Sequence, residues 1–186
     1  MTTISSSVIK TSSSTEMLDM AKILISAPSI GPLGIAELSF VVDNSLVNPA
    51  GLSLYESFST STLGNLIEDN NDIVMSGNTI RARFDVDNND GSWHNTPGKT
   101  EALILNAGAS RFFTLRGQAT GQTGQMITKA LSDTSAAGIH PMNVLAIEQF
   151  SPSSYFIWSD LNFDLYSSST ATATTGWFNG FRVPGL

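Results

Sequence analysis

The chain has 186 residues, no cysteine and a formal net charge of -7. This length can bury one good hydrophobic core, so a single domain is expected. The absence of cysteine excludes disulfides, zinc ribbons, iron–sulfur clusters and thiol catalysis. With only nine Lys and Arg residues, the chain lacks the clustered basic charge that dense binding of nucleic acid requires.

The N-terminal region predicts an arm followed by a short helix. Residues 1–14 are rich in Ser and Thr and poor in large apolar side chains, which indicates a flexible arm. Ser13 and Glu16 have the spacing of a helix capping box. The apolar residues that follow recur at helical intervals: Met17, Met20, Ala21 and Leu24. We therefore expect an amphipathic helix over about 15–25, with a strand over 21–26 as the alternative.

From Ile35 onwards the apolar pattern has a period of two, which is typical of β-strands. Over residues 35–42 one face is apolar and the other carries Glu37 and Ser39, as in a half-buried strand. Further strands are predicted over 52–58, 102–105, 111–115, 143–149, 155–158 and 161–166.

The strongest strand signal is residues 79–86, which follow the turn sequence Ser76-Gly77-Asn78. Arg81 and Arg83 lie two residues apart and therefore share one face of this strand. We expect that face to be solvated, with a contact to a phosphate or a carboxylate as the alternative.

The remaining long segment, 117–138, predicts either a functional loop or a small helix around 126–131. Together these elements predict an all-β fold of about eight strands, with at most one or two short helices. The architecture is expected to be a β-sandwich or jelly roll, or a closed β-barrel.

One acidic loop has spacing that resembles a metal site. Asp85, Asp87, Asn89 and Asp90 alternate in a tight segment, and calcium prefers such oxygen ligands. Asn, Asp and Gly are also the residues that a plain turn favours for backbone reasons. We expect a plain turn and no cofactor, with a weak calcium site as the first alternative and a transition-metal site assisted by His94 as the second.

No catalytic residues are predicted, and we do not expect an enzyme. His94 and His140 are the only histidines, and the chain lacks the G-x-S-x-G sequence of a nucleophile elbow. Trp93 lies next to a glycine-containing loop and is a candidate platform on which a sugar ring could stack. Its alternative role is core packing.

The C-terminal segment 176–186 carries three aromatic residues among glycines: Trp177, Phe178 and Phe181. Exposed, they would form an apolar patch of the kind found at interfaces. We expect this tail to dock on its own sheet or on a neighbouring subunit. The predicted organisation is therefore an arm over 1–14, one β-rich domain over 15–175 and a tail over 176–186.

These features favour a non-enzymatic structural subunit of a virus or bacteriophage particle, located in the virion. A capsid decoration or cement protein is the leading hypothesis, with a small capsid or tail component next. The expected partners are copies of the chain, as a trimer or larger, and the major capsid or other virion proteins. Direct binding of nucleic acid is not expected, because the chain lacks clustered basic charge. A membrane partner is not expected either, since no apolar run approaches the roughly 20 residues of a membrane-spanning helix. The alternative is an extracellular carbohydrate-binding module, with or without calcium.

Overall fold

The computed structural model describes residues 3–7, 9–12, 14–43, 47–59, 61–68, 73–84, 103–121, 125–130, 140–143, 156–159 and 174–179. Within these residues all regular secondary structure is β, and no helix occurs. The strands are β1 Thr3–Ser7, β2 Ile9–Ser12, β3 Ser14–Ser26, β4 Leu33–Asp43, β5 Val47–Ser57, β6 Asn65–Glu68, β7 Ile73–Ser76, β8 Thr79–Arg83, β9 Leu103–Leu105, β10 Ser110–Gly121, β11 Gln125–Ala130, β12 His140–Asn143, β13 Ile157–Ser159 and β14 Thr174–Asn179.

The strands form two antiparallel sheets. The five-stranded sheet has the order β1-β3-β10-β5-β6. The nine-stranded sheet has the path β12-β14-β13-β4-β11-β2, with β8 and β9 also paired to β4 and β7 paired to β8. This arrangement is consistent with a β-sandwich and confirms the predicted all-β fold.

Apolar side chains from both sheets form one buried cluster. The five-stranded sheet contributes the alternate residues Ile23 and Ile25 of β3 and Phe113 and Leu115 of β10, all at most 1% exposed. The nine-stranded sheet contributes Leu33, Ile35, Leu38, Phe40 and Val42 of β4, together with Ile80 and Ala82 of β8. The period-two pattern places Leu38, Phe40 and Val42 on one face between the sheets. Leu33 and Ile35 have the opposite parity and join the same cluster because the pairing of β4 with β13 shifts register between Ile35 and Glu37.

β4 is the central strand of the nine-stranded sheet, and it is buried on both faces rather than on one. Glu37 and Ser39, expected on an open face, are 1% and 0% exposed. Arg81 on β8 is 3% exposed, and its Nε lies 3.5 Å from Glu37 Oε1. The expectation of a solvated face was wrong for Arg81, because this guanidinium has a carboxylate of the same chain as its counter-ion.

The predicted turn at Ser76-Gly77-Asn78 and the strand after it are confirmed, and β7, which was not predicted, pairs with β8 as the other strand of a hairpin. Ser76 pairs with Thr79, so Gly77 and Asn78 form a two-residue turn. The backbone N–H of Val42 donates to the Asn78 carbonyl oxygen at 2.8 Å, which fixes the turn against the end of β4. The strong local signal was therefore sufficient to predict the turn and β8, but not β7.

The predicted helix over 15–25 was wrong, because residues 14–26 form the strand β3. In its pairing with β10, Leu115 is opposite Ala21 and Arg116 is opposite Asp19, so Met20 is an extra residue in a β-bulge. Met20 and Ala21 are consequently both buried in succession. When two adjacent residues are buried in an otherwise alternating strand, the spacing of the apolar residues resembles that of an amphipathic helix.

The predicted loop or helix over 117–138 was also wrong in its described part. β10 continues through Gly117 to Gly121, and residues 125–130 form β11. Gly117 is not a loop residue: a Cβ at this position would lie 2.8 Å from Met20 Sδ and 2.9 Å from Leu52 Cδ2. A Cβ here would force the ends of the Met20 and Leu52 side chains to shift, and it would also lie 3.0 Å from the Ala50 carbonyl oxygen.

We expect the substitution Gly117→Ala to reduce the free energy of unfolding by about 1–3 kcal/mol, the usual cost of overpacking a dense core. Urea denaturation monitored by circular dichroism measures this difference. Gln118→Ala is the matched control on the same strand, since this side chain makes only an exposed hydrogen bond to the Thr15 carbonyl oxygen. A Gly117→Ala protein as stable as the parent would contradict the close contact with Met20 and Leu52.

The chain ends lie partly within the sheets. β1 pairs with β3, β2 pairs with β11, and β14 pairs with β12 and β13. The division into arm, domain and tail stays a prediction. Among the described residues, no helix is long and apolar enough to cross a membrane.

Candidate functional site

The predicted calcium and glycan residues lie outside the described residues. This applies to Asp85, Asp87, Asn89, Asp90 and Trp93. In the part of the chain that the structure describes, no group of three or more His, Asp or Glu residues is placed to hold a metal ion. The calcium site and the sugar platform therefore stay predictions.

The predicted interface residues are placed in part. The backbones of Trp177 and Phe178 lie in β14, where Trp177 pairs with Ser159 and Phe178 pairs with Trp158. Phe181 lies outside the described residues. His140 begins β12 at the edge of the nine-stranded sheet, where the following Pro141 is tolerated because an edge strand leaves N–H positions unpaired. The interface role of the three aromatic residues stays a prediction.

A polar pocket of about 230 Å³ lies on the outer face of the five-stranded sheet. We call it the outer-face pocket. Its lining residues come from β3, from β10 and from the loop between β5 and β6: Asp19, Lys22, Thr114, Arg116, Ser61, Thr62 and Leu63. It therefore brings together cationic, anionic and hydroxyl groups from three segments far apart in the sequence.

The bulge at Met20 gives the pocket its charge arrangement. In a regular strand Asp19 and Lys22 would point to opposite faces, because they are three residues apart. The extra residue places both of them along the pocket, and Asp19 lies opposite Arg116. Arg116 Nε is 2.9 Å from Asp19 Oδ1, and an Nη2 N–H of Arg116 donates to the Met17 carbonyl oxygen at 2.9 Å. The guanidinium is thus fixed on the pocket edge.

Thr114 contributes a buried side chain to the pocket lining. It lies on β10 between Lys22 of β3 and Tyr55 of β5, and its side chain is 1% exposed. Its Oγ1 has no hydrogen-bond partner among the described residues. A buried hydroxyl without a partner is costly and therefore uncommon in native proteins, and it calls for an explanation such as a bound group.

The third side of the pocket is a loop held by its own hydrogen bonds. Ser57 Oγ donates to the Ser59 carbonyl oxygen at 2.7 Å, and the hydroxyls of Ser59 and Ser61 are 2.9 Å apart. Gly64 ends the loop with a φ of +84°, and a Cβ there would collide with the Glu56 carbonyl oxygen. The loop is therefore tightly constrained beside β5 rather than extended into solvent.

The sequence alone did not identify this pocket. The apolar spacing over 15–25 predicts a helix that would include Lys22, and no sequence motif contains Arg116. The sequence feature that could have indicated the pocket is the series of polar residues at alternate positions of β10, Thr114, Arg116 and Gln118, which share one face of the strand. Their approach to Lys22 depends on a pairing between residues about ninety positions apart, which no local pattern reveals.

A second surface feature is apolar. Three large side chains are exposed near one end of the sandwich, where β3 and β5 end and β4 and β10 begin. Ile30 is 89% exposed, Phe58 is 75% exposed and Ile104, opposite Gly34 of β4, is 44% exposed. We call these three residues the apolar end.

The backbone at the apolar end is firmly held. The Ala27 N–H donates to the Ala109 carbonyl oxygen, and the Gly108 N–H donates to the Pro28 carbonyl oxygen, both at 2.9 Å. The guanidinium carbon of Arg111 lies 3.7 Å from the centroid of the Phe58 ring. Because these contacts fix the segments that carry Ile30 and Phe58, the apolar side chains are presented in a defined arrangement.

No protein family, curated protein or solved structure matches this chain.

Proposed function

We propose that this protein is a non-enzymatic structural subunit of a virus or bacteriophage particle, and specifically a capsid decoration or cement protein. In this role it self-associates as a trimer or larger assembly and stabilises the shell through contacts with the major capsid protein. The proposal places the protein in the virion.

The observation that carries the proposal is the apolar end. Scattered single apolar residues are normal on a protein surface, but several large ones on one rigid end are typical of a surface that contacts another protein. Ile30 and Phe58 are among the most exposed large apolar residues of the described chain. A second copy of the chain is the proposed occupant, since subunits in closed symmetric assemblies bury the same patch repeatedly.

Charge and composition support the same role. The net charge of -7 suits a subunit on the outside of a shell better than one that packs nucleic acid. The chain has no cysteine, so disulfides cannot stabilise it, and repeated contacts between subunits would supply that stabilisation. A fold built from two sheets also offers flat surfaces and edges that can tile.

We expect the full-length protein to elute as a trimer or larger in size-exclusion chromatography with light scattering. The double substitution Ile30→Ser and Phe58→Ser should weaken this association about 30-fold, which corresponds to the roughly 2 kcal/mol typical of a central interface residue. The reason is that each change removes an apolar side chain that would be desolvated between copies.

The matched control is Met75→Ser on β7, which removes a 39% exposed apolar side chain at the opposite end of β4. This variant should assemble like the parent. Point substitutions are preferable to truncation at Thr175, because truncation would delete four of the six residues of β14 and disturb the sheet. A parent protein that is monomeric at all concentrations would contradict self-association.

The location in a particle has its own test. An antibody raised against the purified protein is applied to particles that have been isolated by density gradient from cultures of the source organism. We expect labelling of intact particles by immunogold electron microscopy and a fixed copy number by quantitative mass spectrometry. Particles that lack the protein altogether would overturn the assignment to the virion.

A further inference from the structure

We propose that β1 and β2 are exchanged between copies of the chain in the assembled protein, so that these two strands of each copy complete the sheets of a neighbour. The juxtaposition that carries the proposal is a short segment, residues 3–12, that is paired to both sheets and is joined to β3 through one residue, Ser13. The inference rests on the self-association in the proposed function, and the partner is a second copy of the chain.

β1 and β2 connect the two sheets along one side of the sandwich. β1 pairs with β3 at the edge of the five-stranded sheet, over five residue pairs. β2 pairs with β11 at the edge of the nine-stranded sheet, over four residue pairs. The rest of the fold therefore presents two strand edges, one on β3 and one on β11, that this single segment fills.

The attachment of the segment does not depend on which copy supplies it. Six of the ten residues from Thr3 to Ser12 are Ser or Thr, and the large apolar ones are Ile4, Val8 and Ile9. A segment with so few apolar side chains has little apolar surface to bury, so backbone hydrogen bonds dominate its attachment. The identical segment of a neighbour can form the same hydrogen bonds in the same register, which is why exchange of an element between copies has a low cost.

The link between β2 and β3 favours exchange because it is short. Ser12 ends β2 and Ser14 begins β3. The two strands belong to different sheets, so within one chain the change of sheet takes place across one residue. When β2 instead lies on a neighbour, the chain can continue from β2 into β3 without reversing. Short connections of this kind favour domain swapping.

Assembly supplies the proximity that exchange requires. Between separate monomers, exchange has to overcome the loss of translational and rotational freedom. Copies that already contact each other through the apolar end have met this cost, so the second contact is effectively intramolecular. We therefore expect exchange in the assembled protein.

The test introduces disulfides into a chain that has no cysteine of its own. Ser5 of β1 and Leu24 of β3 are opposite each other in the register. Opposite residues of an antiparallel pair have Cα atoms about 4.5–5.5 Å apart, a separation that a disulfide can span. The variants Ser5→Cys and Leu24→Cys are coexpressed with different affinity tags, purified through both tags, oxidised and separated on a denaturing gel without reductant.

We expect a disulfide-linked dimer that contains one chain of each variant, with position 5 of one chain joined to position 24 of the other in the peptide mass spectrum. Each variant expressed alone should lack this product. The double variant, with both substitutions in one chain, should form covalent dimers or larger species that reductant converts to single chains. The proposal is overturned if the double variant gives only single chains with an internal disulfide and the coexpressed variants give no mixed dimer.

The matched control uses two strands that stay in the same copy in either form. Ala50 of β5 and Gln118 of β10 are opposite each other in the five-stranded sheet. Ala50→Cys with Gln118→Cys in one chain should give an internal disulfide, and the two variants coexpressed should give no mixed dimer. Mixed dimers as abundant at this pair as at Ser5 and Leu24 would mean that random collisions form them, and would contradict exchange.

Light scattering on the same samples separates this inference from the proposed function. An assembled protein whose disulfides are all internal would contradict strand exchange and leave self-association through the apolar end intact. A protein that is monomeric at all concentrations would contradict both.

Discussion

Replacement of Glu37 by Ala should reduce the free energy of unfolding by about 3–5 kcal/mol, because it leaves a buried charge without its counter-ion. Glu37 and Arg81 are 1% and 3% exposed, and the carboxylate oxygen and Nε are 3.5 Å apart. Ser39 Oγ also donates to Glu37 Oε1 at 3.1 Å, so the substitution removes the acceptor of a second buried group. Urea denaturation at pH 7 measures the loss.

Removal of both charges together should restore part of the lost stability. The double substitution Glu37→Leu and Arg81→Met replaces both charges with apolar side chains of similar size, and such replacements of buried ion pairs are often neutral or stabilising. We expect the double variant to be more stable than either Glu37→Ala or Arg81→Ala. If the double variant is no more stable than the single ones, burial of unpaired charge is not the cause of the loss.

The half-exposed pair of Asp19 and Arg116 is the control for burial. Its atoms are closer, at 2.9 Å, but the two side chains are 51% and 25% exposed. Exposed pairs contribute about 0–1 kcal/mol, since solvent screens the attraction. Asp19→Ala should therefore cost much less than Glu37→Ala, although the distance between the charged atoms is shorter.

β4 shows what sequence polarity can and cannot predict. The alternation of Leu38, Phe40 and Val42 correctly placed an apolar face toward the core. Glu37 and Ser39 were assigned to solvent because a carboxylate and a hydroxyl are usually exposed. Arg81, which makes burial of this carboxylate tolerable, is 44 positions further along the chain, so no local pattern pairs the two.

β3 shows a different limit. The buried residues Met20 and Ala21 are adjacent because the strand bulges opposite β10, and a pattern read without the partner strand favours a helix. The capping-box spacing added to the error: in the fold, the Glu16 N–H donates to Ser14 Oγ at 3.0 Å within the strand. The same bulge places Asp19 in the outer-face pocket. It therefore explains both why the helix prediction over 15–25 was wrong and why the sequence did not reveal the pocket.

The turn, which depends on neighbouring residues, was predicted from the sequence, whereas the outer-face pocket, which depends on strand pairing, was not. The two-residue turn at Gly77 and Asn78 was predicted because turn residues and alternation occur within a dozen positions. The outer-face pocket required the register of β3 against β10, in which Lys22 is opposite Thr114. β3 and β10 are neighbours in one sheet but lie far apart in the chain, so their register is set by the packing of the whole core, which a single sequence does not display.

The largest packing effect is expected at the contact between the two sheets. Phe113 of β10 and Phe84, which follows β8, are 0% and 1% exposed, and their ring centroids are 6.2 Å apart at an angle of 66°. Phe113→Ala should reduce the free energy of unfolding by about 3–5 kcal/mol, as expected when a buried aromatic side chain is removed from a dense core. Phe58→Ala, at a ring 75% exposed, should change the stability of the monomer by less than about 1 kcal/mol.

A double-mutant cycle tests whether this contact joins the sheets. Phe84→Leu and Phe113→Leu each keep most of the buried volume, so both variants should remain folded. Because an edge-to-face aromatic pair contributes about 0.5–1.5 kcal/mol beyond its buried area, we expect a coupling energy of that size between the two substitutions. Strictly additive losses would mean that the rings do not touch and would contradict the packing of β10 against the nine-stranded sheet. A measured coupling would place Phe113 and Phe84 across one core, on which both the outer-face pocket and the apolar end depend for their rigid support.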